Sequence, residues 1–437
     1  MIIDITIENF RSIRERTTFS LFAEHPGRHL TENIAHPSND KIGVLKTAGI
    51  YGANASGKSN LLLAIWALRY IICESGSLKD GDEIACYEPF LLSEETENAP
   101  VRFEVEFFAP DNVRYLYKVS FTKSKIENEQ LTGYASGQPA LLFSRKESDT
   151  WETIKFGTTF KGGRKRMPFF SNNTYLSKAG NSADAPESIR SIFNYFRGKM
   201  VHLTPGRYFI PPSSYNINKW AKDKTFMQLL SSLLYFTDTG ISGVRVEERD
   251  TASLKLPEDI PDEFKEQIRN DMKWNFLFSH TTEEDKIVHF DINQESGGTQ
   301  RLFALAPMIL HSLDEGLVVL LDKLETSMHP FMAELIIRMF NDPDVNPGKA
   351  QLIFTTHNVH VMSSDLLRRD QVWFSEKEEG ASRYFSLNDF DKNKVKANSP
   401  FSRWYLEGRF NAIPTIDYRK IADIIKAFKK SNAQEEK

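Results

Sequence analysis

Gly52-Ala-Asn-Ala-Ser-Gly-Lys-Ser59 is the stretch from which the rest of the chain can be read. It fills all eight positions of the phosphate-loop pattern Gly-x4-Gly-Lys-Ser. Glycines let the backbone curl until successive N–H groups face one point, a geometry that a β-carbon would obstruct. Residues 46–51 read as a short strand running into the loop, and 60–72, apolar and without Gly or Pro, as a buried helix leaving it. That order adds the positive end of a helix to the anion site.

Working outward, residues 317–321 are a fully apolar strand ending in Asp322. A carboxylate at the C-terminal edge of a buried strand is what a magnesium-positioning acid requires. Together the two segments imply ATP and Mg2+ as cofactors. Gly52, Asn54, Ala55, Ser56, Gly57, Lys58, Ser59 and Asn60 would surround the phosphates, and Ser59 and Asp322 would hold the metal. Lys58 would reach the β- and γ-phosphates. Glu295-Ser-Gly-Gly-Thr-Gln300 opens a helix, and Ser296, Gly297 and Gly298 form a second anion nest at its N-terminus. Phe354-Thr-Thr-His-Asn358 places His357 directly after another strand.

The bulk numbers bound the function classes. At 437 residues the chain exceeds one ordinary core. Its 40% hydrophobic and 26% charged content is that of a globular protein, and a net charge of −4 gives no global sign of a dedicated nucleic-acid binder. Two cysteines, Cys73 and Cys86, without metal spacing read as reduced thiols. The N-terminus has acids among its apolar residues and no basic leader, and no apolar run reaches membrane length. A cytoplasmic protein with no membrane partner is the expectation.

Residues 2–8 alternate as a half-buried strand, with 17–22 as its partner and 23–44 as loop. Residues 101–108 and 115–121 flank Pro-Asp-Asn as a hairpin, with β-like pieces at 140–144 and 151–156. Residues 186–198 and 223–236 look helical, as does 257–274 after a Pro-rich turn. From 287 strands and helices alternate again, which implies a mostly parallel sheet covered on both faces. The expectation is α/β: segments 1–75 and 287–380 share one sheet, with the middle of the chain inserted. The proposed bounds are 1–158 for the first half with the β subdomain, 159–286 for a mainly helical insertion, and 287–437 for the second half.

Phosphate loop, Ser-Gly-Gly-x-Gln, strand-Asp and strand-Thr-Thr-His, in that order, resemble the ABC-type ATPase heads of the SMC and RecF group. Asp322-Lys-Leu-Glu-Thr-Ser-Met-His329-Pro330 is similar to that group's Walker B and D-loop run, His357 to its switch histidine, and Asn9-Phe-Arg-Ser12 to the N-terminal signature of RecF-like proteins. The resemblance implies an ABC-type head with a mixed, mostly parallel sheet and an inserted β-hairpin and helical subdomain. It also implies head-to-tail pairing of two copies, the Ser296–Gly298 nest of each closing on ATP held by the other, with Arg11 near the nucleotide. Tyr87-Glu-Pro-Phe-Leu-Leu-Ser-Glu-Glu95 and Tyr405-Leu-Glu-Gly-Arg-Phe-Asn-Ala-Ile-Pro414 resemble a family of compact bacterial AAA-type ATP-binding proteins that includes RloA, AbiLi-type proteins and the ATPase of the PARIS phage-defence system. That resemblance implies an anti-phage role in which the ATPase holds a separately encoded toxic effector, commonly a nuclease, and answers a phage-derived trigger.

One position departs from the pattern. The catalytic glutamate that follows the Walker B aspartate is replaced by Lys323. A protonated lysine cannot act as a base and its charge competes with magnesium and repels Lys58. Three explanations stand: a substitution introduced to block hydrolysis, a natural loss leaving an ATP-gated binding protein, or a rearranged site with another base. The intactness of every other element favours the first, and so an ATPase with impaired hydrolysis. Glu325 lies two residues too far along to replace the base. No glutamine occupies 84–98, where ABC heads carry one, leaving Glu88 and Glu94 as the acids nearby. Two other functions compete. An OLD-type ATPase–nuclease would need metal-binding acids such as Asp389 and Asp391. A RecF- or SMC-like DNA-binding ATPase would use the basic loop 161–166, with steeply salt-dependent binding.

Overall fold

The computed structural model describes residues 1–37, 42–204, 217–237, 239–251, 257, 261–271, 273–414 and 416–435. β1 (Ile2–Glu8) buries Ile2, Ile3, Ile5 and Ile7 and leaves Asp4 and Glu8 half-exposed; β2 (Thr17–Ser20) pairs with it antiparallel. β3 (Ile34–Ala35) and β4 (Val44–Leu45) form a short ladder inside the expected loop. β5 (Thr47–Gly52), buried throughout, runs into the phosphate loop, and α1 (Lys58–Cys73) leaves it. β6 (Val101–Phe108), β7 (Arg114–Phe121), β8 (Ile126–Gly133), β9 (Ala140–Lys146) and the short β10 (Lys155–Phe156) continue as an antiparallel meander. The expected hairpin is therefore the first part of a longer run, and of 151–156 only Lys155–Phe156 is strand.

Next come α2 (Tyr175–Gly180), α3 (Glu187–Gly198), β11 (Met200–Leu203), α4 (Ile217–Lys222), α5 (Lys224–Phe236), β12 (Gly243–Glu248), α6 (Asp262–Asp271), β13 (Trp274–Thr281) and β14 (Ile287–Asp291). The last third holds α7 (Gly297–Glu315), β15 (Val318–Leu321), α8 (Pro330–Asn341), β16 (Gln351–Thr355), β17 (Val372–Glu378), β18 (Ala381–Ser386), α9 (Phe401–Leu406) and α10 (Tyr418–Glu435).

Among the described residues two large sheets form. One is antiparallel, ordered β10-β9-β8-β7-β6-β1-β2; the other is mostly parallel, ordered β11-β15-β16-β5-β17-β18. Sharing of one sheet by 1–75 and 287–380 holds for β5, β15, β16 and β17 but not for the other strands of those segments; β18, just past 380, extends that sheet. β1 and β2 belong to the antiparallel sheet, and β14 joins β12 and β13 in a separate three-stranded sheet. β11, from the middle segment, pairs with β15 at the edge of the parallel sheet.

The parallel sheet has apolar packing on both faces. Ala48, Ile50, Leu320 and Ile353 pack with α1 and the aromatic face of the antiparallel sheet, including Phe103, Phe107 and Phe143. Tyr51, Val319, Leu321 and Phe354 pack with α7 and α8 through Met308, Ile309, Ile336 and Ile337. The Gln351 amide stitches the sheets together: its Oε1 accepts the Ile2 N–H at 2.7 Å and its Nε2 donates to the Ile2 carbonyl at 2.9 Å. This frame fixes the C-terminal ends of β5, β15 and β16 side by side.

Candidate nucleotide-binding site

Within the loop Ala55 has φ 60° and Gly57 φ 110°. A Cβ at Gly57 would lie 2.0 Å from Ser382 Oγ, and one at Gly52 2.2 Å from the Ser375 carbonyl oxygen, so close packing as well as backbone angle excludes a side chain. The β17–β18 hairpin braces the loop from behind. Ser375 Oγ donates to the Ser56 carbonyl at 2.8 Å, and Tyr384 Oη to the Gly57 carbonyl at 2.7 Å. Ser382 Oγ lies 2.7 Å from both the Ser56 carbonyl and Ser12 Oγ. These braces carry no sequence signal beyond an amphipathic strand and were not expected.

Lys58 is buried. Its Nζ donates to the Gly52 and Ala53 carbonyls at 2.9 and 2.8 Å, and no carboxylate among the described residues forms an ion pair with it. Burial lowers its pKa to about 8, against the opposing pull of Asp322 and Glu325. The neighbouring Ser59 hydroxyl is shared between Asp322 Oδ1 and Oδ2, at 2.8 and 3.0 Å. Thr355 Oγ1 donates to Asp322 Oδ1 at 2.6 Å. Asp322 and Thr355 meet because β15 and β16 are parallel neighbours with Leu321 opposite Phe354. Hard oxygen donors in this group suit Mg2+. A buried ammonium that has no anion, and a buried Ser56 hydroxyl that has no partner, among the described residues suit phosphate. The residues present therefore fit Mg-ATP: loop and Lys58 for the phosphates, Ser59 and Asp322 for the metal, which would supply charge neutralisation at the phosphates.

Lys323 is exposed and in the left-handed region, φ 54°. Its N–H donates to Thr355 Oγ1 at 2.8 Å, and its carbonyl accepts the Thr326 N–H and hydroxyl at 3.1 and 2.9 Å. Its charge contributes to lowering the pKa of both Lys58 and His357. His357 is exposed; partial desolvation, then the Lys58 charge, hold its imidazole below its ordinary pKa. Each Glu325 oxygen accepts one hydrogen bond, Oε2 from the Thr356 hydroxyl and Oε1 from the His357 N–H.

Arg11 has φ 50°. Its guanidinium pairs with Glu88 and its N–H donates to the Glu88 carbonyl at 2.7 Å. The residue touching the phosphate loop is its neighbour: Ser12 Oγ accepts from Asn60 Nδ2 at 2.6 Å. Glu94 is exposed. Ser296 caps α7, its Oγ accepting the Thr299 N–H at 3.1 Å. Ser296 and Gly297 are exposed, and among the described residues no hydrogen bond joins the nest to residues 52–60. The structure thus gathers Lys58, Ser59, Asp322, Lys323 and His357 and leaves the nest open to the outside.

The other candidate regions are engaged locally. Asp389 accepts the Ser386 N–H at 2.8 Å and Asp391 the Asn393 N–H at 2.9 Å, both as turn caps. Among the described residues no group of three or more His, Cys, Asp or Glu is placed to hold a metal. In the basic loop Arg164 N–H donates to Asp184 O at 2.6 Å, and Arg166 bonds the Glu152 carbonyl and lies over the Phe156 ring. Cys73 and Cys86 are buried free thiols, and burial pushes the Cys73 pKa up to about 12. Among the described residues no helix is long and apolar enough to cross a membrane.

Fold and site define a P-loop ATPase of mixed α/β architecture. Residues 48–363 match the family described as "AAA domain, putative AbiEii toxin, Type IV TA system", and the chain belongs to that family. No curated protein matches it. Among solved structures it is similar to an SMC head bound to the C-terminal winged-helix domain of ScpA (12% identity, 90% of this chain and 99% of that chain, TM-score 0.39). It is also similar to the SMC head domain from Thermotoga maritima (13%, 88% and 98%, 0.39) and to the recombination mediator RecF with ATPrS (12%, 88% and 98%, 0.38).

Proposed function

We propose that this chain is the ATP-binding component of a bacterial anti-phage system, in which ATP pairs two copies head-to-tail and the assembly holds a separately encoded toxic effector. The observation that carries the nucleotide part is the Ser59–Asp322–Thr355 cluster at the foot of a loop whose lysine is buried without an anion. Pairing is supported by the nest at the N-terminus of α7, where Ser296 and Gly297 are exposed and, among the described residues, no hydrogen bond joins the nest to residues 52–60. The effector and defence parts rest on the motifs around Tyr87 and Tyr405 and on the family the chain belongs to. Lys323, a cation where a base is expected, supports an assembly that binds ATP and turns it over slowly.

Light scattering on the full chain with and without Mg-ATP tests the pairing. A mass increase with Mg-ATP is expected, absent in both Lys58→Ala and Ser296→Arg; a mass unchanged by Mg-ATP would sink it. Phage challenge of cells carrying the gene with its neighbours tests the defence role, which fails if Lys58→Ala leaves plating efficiency unchanged.

A further inference from the structure

Both oxygens of the Glu325 carboxylate accept a hydrogen bond from the turn that carries His357. Oε2 accepts the Thr356 hydroxyl at 2.6 Å and Oε1 accepts the His357 backbone N–H at 3.0 Å. Two more bonds join the same pair of turns, Lys323 N–H to Thr355 Oγ1 at 2.8 Å and Leu324 N–H to the Thr355 carbonyl at 2.9 Å. Order then passes along the chain. Thr356 Oγ1 accepts the Asn358 N–H at 2.9 Å, and Asn358 Oδ1 accepts the His360 N–H at 3.0 Å, capping the turn Val359–Val361.

Among the described residues the His357 imidazole makes no hydrogen bond, although its backbone is held by Glu325. A ring with free nitrogens on a tethered backbone is arranged to meet a group from outside. The fork also selects its own side chain. The two donors, one N–H and one O–H, each meet a separate oxygen. Glutamine would set an NH2 donor against one of them, and aspartate is a methylene shorter.

We propose that Glu325 is a positioning residue, which aims the His357 imidazole at the nucleotide by holding the 355–357 turn. The proposal rests on the ATPase reading above. It separates Glu325 from a strut that only ties β15 to β16, because a strut would act on stability and nucleotide affinity rather than through His357.

In the Lys323→Glu background, Glu325→Gln should lower kcat about tenfold, the cost of a lost charged hydrogen bond, with KM within about twofold. His357→Ala should lower kcat at least as much, and the combined variant should be no slower than His357→Ala alone. Multiplied losses in the combined variant, or a KM rise as large as the kcat loss, would overturn the proposal. Circular dichroism melting checks that Glu325→Gln folds; if it does not, Glu325→Asp keeps the charge and should show the same pattern. Without any turnover, carbethoxylation of His357 in the unsubstituted chain, followed by peptide mass, gives a separate reading. Mg-ATP should slow it about fivefold, and Glu325→Gln should abolish that protection while still binding Mg-ATP. Equal protection in both overturns the proposal. Expected protection with an inactive Lys323→Glu variant sinks the hydrolysis reading and upholds the positioning role.

Discussion

Replacing Lys323 by glutamate should switch on ATP turnover. The backbone at 323 is held by Thr355 and Thr326 through its own N–H and carbonyl, so the direction of the side chain does not depend on the lysine. The side chain is exposed, and the fold should tolerate the change to within about 0.5 kcal/mol. Two effects then add. A carboxylate beside Asp322 supplies a general base, commonly worth about 10²–10⁴ in rate, or about 3–5 kcal/mol of barrier. The local charge also falls by two, which raises the Lys58 pKa from about 8 and raises that of His357, since Lys323 helps depress both. Lys58 is then protonated across the neutral range. Phosphate release at saturating Mg-ATP is the assay, with Lys323→Glu/Asp322→Asn as the inactive control. Lys323→Gln separates the effects, because it removes the ammonium without adding a base and should recover only a small part of the rate. Equal, robust rates in the unsubstituted chain and in Lys323→Glu would refute the reasoning.

Gly57→Ala should fold but lose ATP binding by about 100-fold or more in titration calorimetry, because the methyl group meets Ser382 Oγ at 2.0 Å in a backbone conformation that disfavours it; retention within a few-fold would contradict the tight brace. Metal-free ATP affinity should depend on pH through Lys58. Its pKa in the free protein is about 8 and phosphate raises it, so binding is full below pH 8 and weakens above, about tenfold between pH 7 and pH 9; a flat profile would show that Lys58 stays charged in the free state. Glu129 is buried and accepts from Tyr117 Oη at 3.0 Å and from the Tyr175 and Leu176 N–H groups at 2.7 and 2.9 Å, with the Arg145 guanidinium 4.0 Å away. Glu129→Ala leaves Arg145 buried without its counter-charge and should cost about 3–5 kcal/mol in urea unfolding.

The parts of the candidate site legible in the sequence are those where nucleotide chemistry demands residue types at short spacing: Gly52 to Ser59 and the apolar strand into Asp322. The apolar runs of β5, β15 and β16 were legible because strands buried on both faces need them. The assignment of strands to sheets was less so, although the alternation of 2–8, with Asp4 between isoleucines and Glu8 after Ile7, is the mark of a sheet with one wetter face and agrees with the place of β1 in the antiparallel sheet. Trp274–Thr281 is a strand the sequence reading leaves unassigned, because the helix read over 257–274 ends where β13 begins. Ser375, Ser382 and Tyr384 lie more than 300 residues from the loop they brace, and only the pairing of β17 with β5 brings them there. The same logic explains Glu325. On the chain it is one more acid near Asp322; the parallel register of Leu321 against Phe354 sets residues 322–325 beside 355–357. Sheet pairing therefore sets Asp322, Lys323 and His357 side by side, with Thr355 bonded to the first two and Glu325 to the backbone of the third.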